Sequence, residues 1–394
     1  MMDLAFWSPG DRGSPQVEIS GFAAKENPAR RAILSCIRIV LLVFVVAGWG
    51  LASQGDTLFL PSDDNVVYQG RWDRTQSESA ITVYPGAGFR AGFTGNHCVL
   101  RFDTAPYSDN RPPQVWLQVD NGEWQVSVVQ SELRILAGNS GSEEHSLELI
   151  LKSYNVARQR WTPPLEAVVI FQGISLPEGE RLRPGRHPTG PRVEVLGDSI
   201  TEGLIVYPNQ NNANIEDVSD ARESYAFRAA QEWDADLRIT AFSGQGLLTG
   251  GNGGVPEVIN TFDWIYKGVP RDSWQADWVL INLGTNDAYS TSRTFQGFYE
   301  YLLKSVRAAY PQALIFCLRP FNGTQSQGVE NAVHAMRGQG DSAIHYVDTT
   351  GWLNPSDTTD TIHPSVEGHA KAAERLIEVL RDYHPTGITD YCFY

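Results

Sequence analysis

Basic residues are scarce in this sequence. Its 394 residues include 31 lysines and arginines against 46 aspartates and glutamates, which gives a formal net charge of −15 at pH 7. Nucleic acids and anionic membranes are bound by basic faces, so this balance argues against both as the main partner. The hydrophobic fraction of 42% and the charged fraction of 20% are those of a globular chain, and the length favours two domains.

Cysteine is also scarce, with four in the whole chain. Cys36 lies in the N-terminal 52 residues, which leaves Cys98, Cys317 and Cys392, so at most one disulfide can form among these three. Cys317 lies in an apolar strand pattern and is predicted to be a buried free thiol, whereas a Cys98–Cys392 bridge is left open. The sequence also lacks the Cys/His and Asp/His spacings of metal sites and a Walker loop, so we predict neither a metal nor a cofactor.

Long apolar runs are missing as well. The run Ile39–Val46 is too short to span a bilayer comfortably. Arginines precede it, and Gly50 and Ala52 place small residues at the two positions that a signal peptidase reads. We therefore predict a cleaved secretory signal over residues 1–52 and a secreted protein with no membrane contact after cleavage. The alternative is an uncleaved anchor, which would hold Arg38 inside the membrane at a cost.

Residues 56–176 show the period-two alternation of β-strands. Apolar residues alternate with polar or small ones at 89–93, and four later segments do the same, at 98–102, 115–119, 124–128 and 147–151. The alternating runs 115–119 and 124–128 flank the turn sequence at 120–122, which predicts a β-hairpin. Strands at this spacing, without helical runs between them, predict an N-terminal all-β domain that is a jelly roll or sandwich.

The pattern changes after residues 177–191, a stretch with four prolines and three glycines that we interpret as a linker. In residues 192–384 strands alternate with helices, which predicts an α/β domain with a parallel sheet in three layers, and 385–394 would form a C-terminal tail. The predicted strands lie at 193–196, 237–242, 278–283, 313–318 and 344–347. The predicted helices lie at 223–233, 295–310, 329–337 and 365–381, with Phe298, Leu302, Val306 and Val379 among their apolar faces.

The strand pattern at 193–196 ends in a tight turn, and Ser199 follows where a helix can begin. A serine in that arrangement lies at the carboxyl ends of the strands of a parallel sheet, where ligands bind. Serine is a poor nucleophile at neutral pH and needs a base within hydrogen-bond reach. His363 is the candidate base, and Asp360 can accept its second ring N–H within the same loop. The simpler alternative for Ser199 is an ordinary helix cap.

Acyl transfer also needs donors placed around the developing oxyanion. The N–H groups of Ser199 and Gly244 and the side-chain amide of Asn286 can supply three of them, and glycine at 244 lets the backbone approach the substrate closely. Asp198 and Trp352 are candidate substrate-binding residues. The alternatives are a structural role for Asp198, as an acceptor for backbone N–H groups of its loop, and a packing role for Trp352.

These residues carry a family resemblance. The motifs resemble, in the same order, the four signature blocks of the SGNH (GDSL-type) hydrolases, over about 192–383: Gly197-Asp198-Ser199, Gly244, Gly284-x-Asn286-Asp287 and Asp360-x-x-His363-Pro364. The resemblance implies a flavodoxin-like fold. It also implies that Ser199 is the nucleophile, that His363 is the base oriented by Asp360, and that Gly244 and Asn286 are oxyanion donors.

A jelly roll ahead of such a domain is similar to carbohydrate esterase family 2, whose members remove acetyl groups from plant polysaccharides. The features of this chain that match the family are less specific than the four signature blocks. They are Gly70-Arg71-Trp72, Phe93-Thr94-Gly95, Glu144-His145 and Phe171-Gln172-Gly173-Ile174. Some members of that family lack the acid of the triad. This chain keeps Asp360, and Asp357 is the alternative carboxylate.

The resulting hypothesis is a secreted serine esterase that deacetylates xylan, glucomannan or a similar polysaccharide or oligosaccharide, with no cofactor. The first alternative is a short-chain lipase or thioesterase on the same residues. The small, polar loops near the triad, including the glycine-rich Gly250–Gly254, argue mildly against it. The second alternative, from another class, is a glycan-binding protein with a vestigial hydrolase. The polysaccharide, the hydroxyl position and the oligomeric state are left open by the sequence.

Overall fold

The structure is a computed structural model. The described residues are 45–46, 55–107, 111–137, 144–209 and 213–383. The predicted cleavage site after Ala52, the predicted tail 385–394 and Cys392 lie outside these ranges. Cys98 and Cys317 are both buried free thiols, as predicted for Cys317.

Two antiparallel sheets form the N-terminal part of the described chain. Their strands are β1 Val45–Val46, β2 Thr57–Phe59, β3 Val67–Gln69, β4 Asp73–Gln76, β5 Ser79–Thr82, β6 Gly88–Thr94, β7 His97–Phe102, β8 Gln114–Val119, β9 Gln125–Val128, β10 Glu132–Leu136, β11 Glu144–Ser153, β12 Val169–Leu176 and β13 Leu182–Arg183. One sheet has the order β1-β10-β7-β12-β5-β4, with β2 also on β12, and the other has the order β13-β6-β11-β8-β9, with β3 also on β6. This is the predicted all-β sandwich.

The sandwich core is rich in phenylalanine. The rings of Phe89 and Phe171, one from each sheet, stack with their centroids 4.4 Å apart. The predicted hairpin is β8–β9, but the alternation of its second strand does not mark the buried face. Ser127 pairs with the fully buried Val115 and is itself buried, whereas Val126 is 45% exposed. The cross-strand register, which sequence alternation alone does not contain, decides which side of β9 faces inward.

Part of the predicted linker 177–191 belongs to the sandwich. Leu182 and Arg183 form β13 and pair antiparallel with Phe93 and Gly92 of β6. A two-residue edge strand tolerates the prolines around it, because proline removes ladder donors only at its own position.

The C-terminal part is a five-stranded parallel sheet covered by helices. The remaining strands are β14 Arg192–Gly197, β15 Asp236–Ala241, β16 Trp264–Tyr266, β17 Val269–Pro270, β18 Trp278–Asn282, β19 Leu314–Leu318 and β20 Ile344–Val347. The helices are α1 Ser199–Glu202, α2 Tyr225–Glu232, α3 Val258–Thr261, α4 Ser292–Ala309, α5 Ser326–Gly338 and α6 Val366–Leu380. The parallel order β15-β14-β18-β19-β20 is the flavodoxin-like order predicted above, and β16–β17 is a separate hairpin.

Four helices, α1, α2, α4 and α6, begin after a residue whose side chain accepts a backbone N–H of the first turn. The buried faces of the helices differ from two predictions. Phe298 and Val379 are each 37% exposed, because Phe295 and Tyr299 of α4 and Leu380 of α6 take the core positions instead. Within the described ranges, no helix is long and apolar enough to cross a membrane.

One apolar cluster contains residues of both parts. Phe242 and Val255, from the loops after β15, pack in the same apolar cluster as Tyr84 and Trp161 of the sandwich. A fully buried ion pair crosses the same boundary, with Arg71 Nη2 2.6 Å from Oε1 of Glu194 on β14. The sandwich is therefore packed directly against the sheet that carries Ser199.

Candidate active site

Ser199 sits at the carboxyl end of β14, where the strand turns into α1. Gly197 ends the strand, and a Cβ there would lie 2.0 Å from Thr201 Oγ1, so only glycine allows the turn to be this tight. Asp198 caps α1, because its Oδ1 accepts the N–H of Ile200 at 3.0 Å. The strand, turn and helix together fix the position of the Ser199 side chain, as the sequence pattern predicted.

The loop before α6 brings a histidine and a carboxylate to this serine. His363 Nε2 lies 2.9 Å from Ser199 Oγ, and His363 Nδ1 lies 2.8 Å from Asp360 Oδ2. Asp360 Oδ1 also accepts the N–H groups of Ile362 and His363, each at 2.7 Å. With Nδ1–H donated to Asp360, Nε2 is free to accept the Ser199 hydroxyl proton, which is the geometry of a general base.

The Asp360 carboxylate is held in its charged form. Burial raises the pKa of Asp360, but the hydrogen bonds from His363 and Ile362 outweigh this effect, and the pKa stays below its ordinary value. An ionised carboxylate against Nδ1 stabilises the imidazolium that forms when His363 takes a proton.

The predicted oxyanion donors follow three neighbouring strands. Ser199 follows β14, Gly244 follows β15, and Asn286 follows β18, and these strands are adjacent in the sheet order. Asn286 Nδ2 donates to Gln245 O at 2.9 Å, which ties the loop after β18 to the loop after β15. Gly244 has a φ of +77°, a conformation that a side chain would strain. The three donors thus meet at the edge of the sheet that also presents Ser199.

Two aspartates stabilise these loops by accepting hydrogen bonds from backbone N–H groups. Asp287 accepts the N–H groups of Leu247 and Leu248 at 3.0 and 2.9 Å. Asp198 is fully enclosed, and burial raises its pKa to about 7, although the Ile200 N–H works in the opposite direction. Both carboxylates make the backbone contacts of structural residues.

The remaining candidates lie in packing positions. Trp352 is half-buried, and its ring packs against that of Phe321 with 6.3 Å between centroids. Asp357, the alternative triad acid, caps a short turn by accepting the N–H of Asn354 and pairs with Lys371. Asp360, and not Asp357, is therefore the carboxylate that contacts His363.

Two further features around the site could not be predicted from the sequence. His369 is fully buried; its Nδ1 accepts the N–H of Tyr225 at 3.1 Å, and burial lowers its pKa to about 3. Arg160 of the sandwich and Glu202 of α1 form a buried ion pair, and Arg160 also donates a hydrogen bond to Ser243 Oγ. No motif joins the two residues, so only the fold reveals the pair.

The glycine-rich loop Gly250–Gly254 is held by contacts within the loop and to Ser243. Gly251 and Val255 form a bridge, and the Asn252 side chain donates to Ser243 Oγ at 3.2 Å. In the part of the chain that the structure describes, no group of three or more His, Cys, Asp or Glu side chains is arranged to hold a metal ion.

Comparison with known families assigns this arrangement to a class. Residues 195–371 match the model of the GDSL-like Lipase/Acylhydrolase family, and this region contains all five residues of the predicted triad and oxyanion set. The predicted family resemblance is therefore confirmed over this region, and the predicted class of enzyme, an ester hydrolase, agrees with it.

The relatives that the chain matches are carbohydrate esterases. It is 25% identical over 350 residues to the cellulase/esterase CelE of Acetivibrio thermocellus, covering 82% of this chain and 40% of that protein. It is 24% identical over 343 residues to an acetylxylan esterase/glucomannan deacetylase of Cellvibrio japonicus, covering 81% of this chain and 89% of that one. The chain spans less than half the length of CelE.

Solved structures show the same fold. A family two carbohydrate esterase from Cellvibrio japonicus superposes with a TM-score of 0.70 at 21% identity, covering 83% of this chain and 98% of that one. A family two carbohydrate esterase from Clostridium thermocellum in complex with cellohexaose gives 0.68 at 22% identity, covering 81% and 98%. The predicted combination of β-sandwich and flavodoxin-like sheet is confirmed.

Proposed function

We propose that this protein is a secreted serine esterase that removes O-acetyl groups from polysaccharides such as xylan or glucomannan. The observation that carries the proposal is the hydrogen-bonded series Ser199–His363–Asp360, with contacts of 2.9 and 2.8 Å at the sheet edge. The names of the relatives, an esterase and an acetylxylan esterase/glucomannan deacetylase, support the substrate class.

The proposed reaction has two halves. Ser199 Oγ attacks the acetyl carbonyl carbon while His363 Nε2 takes the hydroxyl proton, and Asp360 stabilises the imidazolium. The bond from the carbonyl carbon to the sugar oxygen then breaks, and that oxygen takes the proton from Nε2. In the second half, His363 takes a proton from water as the water oxygen attacks the acetyl-enzyme, and acetate leaves as Ser199 recovers its proton.

The oxyanion of each tetrahedral intermediate would be held by three donors. These are the N–H groups of Ser199 and Gly244 and the side-chain amide of Asn286. Such donors act most strongly when they are fixed before the reaction, because they then need no reorganisation as charge develops.

The test is acetate release from acetylated xylan and acetylated glucomannan. Wild type is compared with Ser199→Ala and with Ser342→Ala, which removes an exposed hydroxyl before β20, at the opposite edge of the sheet. We expect release by wild type and Ser342→Ala and loss of at least about 10³-fold in Ser199→Ala. No release from either polysaccharide would overturn the substrate class, and retained release in Ser199→Ala would overturn the nucleophile.

A chain-length series separates the proposal from a lipase or thioesterase. We expect p-nitrophenyl acetate to be cleaved faster than the octanoate ester.

Secretion is tested separately. The N-terminal sequence of protein recovered outside the host cell should begin after Ala52. Protein that keeps its N-terminus and stays with the membrane would favour the anchor.

A further inference from the structure

The guanidinium of Arg160 is fully buried, and its contacts reach into the hydrolase domain. Arg160 lies between β11 and β12 of the sandwich, yet its Nη1 pairs with Glu202 of α1. Its Nη2 donates to Ser243 Oγ at 2.9 Å, and its Nε donates to Asn252 O at 3.1 Å. The three nitrogens of this rigid, planar guanidinium thus contact three separate segments around the loop that carries Gly244.

These contacts fix the peptide unit between Ser243 and Gly244. The Ser243 N–H donates to Glu202 Oε2 at 2.6 Å, and the Ser243 carbonyl accepts the Asn252 N–H at 2.8 Å. That carbonyl and the N–H of Gly244 belong to one planar trans peptide, so they point in opposite directions. Holding the carbonyl on Asn252 therefore sets the direction in which the Gly244 N–H points.

Arg160 also holds the turn that supplies the Asn252 N–H. Besides the Nε contact to Asn252 O, the backbone N–H of Arg160 donates to Gly253 O at 3.0 Å. Gly253 has a φ of +73°, and a Cβ there would lie 2.3 Å from Arg158 O. The turn and the sandwich segment are in direct backbone contact, and only glycine allows that approach.

We propose that Arg160 is a positioning residue of the proposed esterase, which aligns the Gly244 oxyanion donor from the sandwich domain through Glu202, Ser243 and Asn252. The inference rests on the proposed function and adds a role for the sandwich in the chemistry. Arg160 would position the oxyanion donor Gly244, just as Asp360 positions the base His363. A donor aligned in advance stabilises the transition state more than the bound substrate, so its loss lowers kcat more than it changes KM.

The first test is Arg160→Lys. Lysine keeps the charge opposite Glu202, but a single ammonium cannot reproduce the three contacts of the guanidinium. We expect kcat for p-nitrophenyl acetate to fall about 10- to 100-fold, less than the ~10²–10³ for outright removal of an oxyanion donor, with KM within about twofold. The inhibition constant of phenylboronic acid, which forms a tetrahedral adduct on the serine, should rise by about the same factor as kcat falls.

The matched control is Arg71→Lys. Arg71 is equally buried and also crosses from the sandwich to the hydrolase domain, but its carboxylate partner is Glu194, five residues before Ser199 on β14. We expect this variant to lose stability and to keep the kcat and the boronate inhibition constant of wild type. An equal fall of kcat in both lysine variants would mean a general loosening of the domain contact and would overturn the proposal.

A second variant keeps the proposal testable if Arg160→Lys does not fold. Gly253→Ala keeps the Arg160 guanidinium but pushes the turn away from the sandwich, because the added Cβ would lie 2.3 Å from Arg158 O and 2.9 Å from Arg160 Cγ. Gly179→Ala is its control, with φ +88° and open space around the added Cβ. We expect the kcat loss in Gly253→Ala alone. The inference, but not the proposed function, would be overturned by one pattern of results. In that pattern wild type is active, Ser199→Ala is inactive, and both Gly253→Ala and any folded Arg160→Lys keep the full kcat. An inactive wild type would instead overturn the proposed function.

Discussion

At the residue scale, the chemistry rests on short-range arrangements that the sequence already contains. Asp360 and His363 lie in one loop three residues apart, and Asp360 contacts the ring nitrogen Nδ1 and accepts the backbone N–H of His363, besides the N–H of Ile362. That pairing could be predicted because it is local. The pair of Arg160 and Glu202 could not, because its members are 42 residues apart in different domains and share no motif.

Asp360→Asn tests the role of the acid. We expect kcat on p-nitrophenyl acetate to fall about 10³- to 10⁴-fold with an intact fold, because an amide favours the wrong tautomer of His363 and cannot stabilise its imidazolium. Asp357→Asn is the control: it should lose stability through its turn and Lys371 and keep kcat. A large kcat loss in Asp357→Asn with normal activity in Asp360→Asn would reverse the assignment.

Asp198 predicts a pH dependence of stability. Its pKa is raised from 3.8 to about 7 in the folded chain, so between these pH values the folded state holds a proton that the unfolded state has released. Stability therefore falls as pH rises through this window, by about 3 kcal/mol between pH 5 and pH 8. Urea unfolding at both pH values should show this fall in wild type relative to Asp198→Asn. Parallel pH dependences in the two proteins would contradict the buried, protonated carboxyl.

At the element scale, strand order assembles the site. β14 lies between β15 and β18, so the loops after these three strands meet at one edge. The alternation of strands and helices was enough to predict this edge. It was not enough to place Phe298 or Val126, because the buried face of a helix or edge strand depends on which neighbours cover it.

The N-cap of α6 gives a prediction at this scale. Ser365 Oγ accepts the N–H of Gly368 at 3.2 Å, and the helix begins three residues after His363. We expect Ser365→Ala to lower the free energy of unfolding by about 1 kcal/mol, measured by urea titration. The exposed Ser342→Ala should change it by less than about 0.5 kcal/mol. Equal values for the two variants would argue against the cap.

At the scale of the whole molecule, the sandwich and the hydrolase domain are joined by shared core and buried charge. The sequence predicted both domains but not their shared core, because Tyr84 and Phe242, whose ring centroids are 5.0 Å apart, are distant in the chain. The two buried ion pairs, Arg71–Glu194 and Arg160–Glu202, cross the same boundary.

Arg71→Met tests the buried charge at that boundary. Burial raises the pKa of Glu194, but Arg71 outweighs this effect and keeps the pKa low. Without Arg71 the carboxylate is buried unpaired, so the free energy of unfolding should fall by about 3–5 kcal/mol. Arg71→Met with Glu194→Gln should recover part of this loss. A double variant no more stable than the single one would show that lost packing, not charge, is responsible.

The central claim is that Ser199, activated by His363, is the nucleophile of an ester hydrolase. The most direct measurement is p-nitrophenyl acetate turnover by wild type and Ser199→Ala, with both proteins shown to be folded. We expect turnover by wild type and a loss of at least about 10³-fold in the variant. Equal turnover by the two proteins, or none by folded wild type, would contradict it.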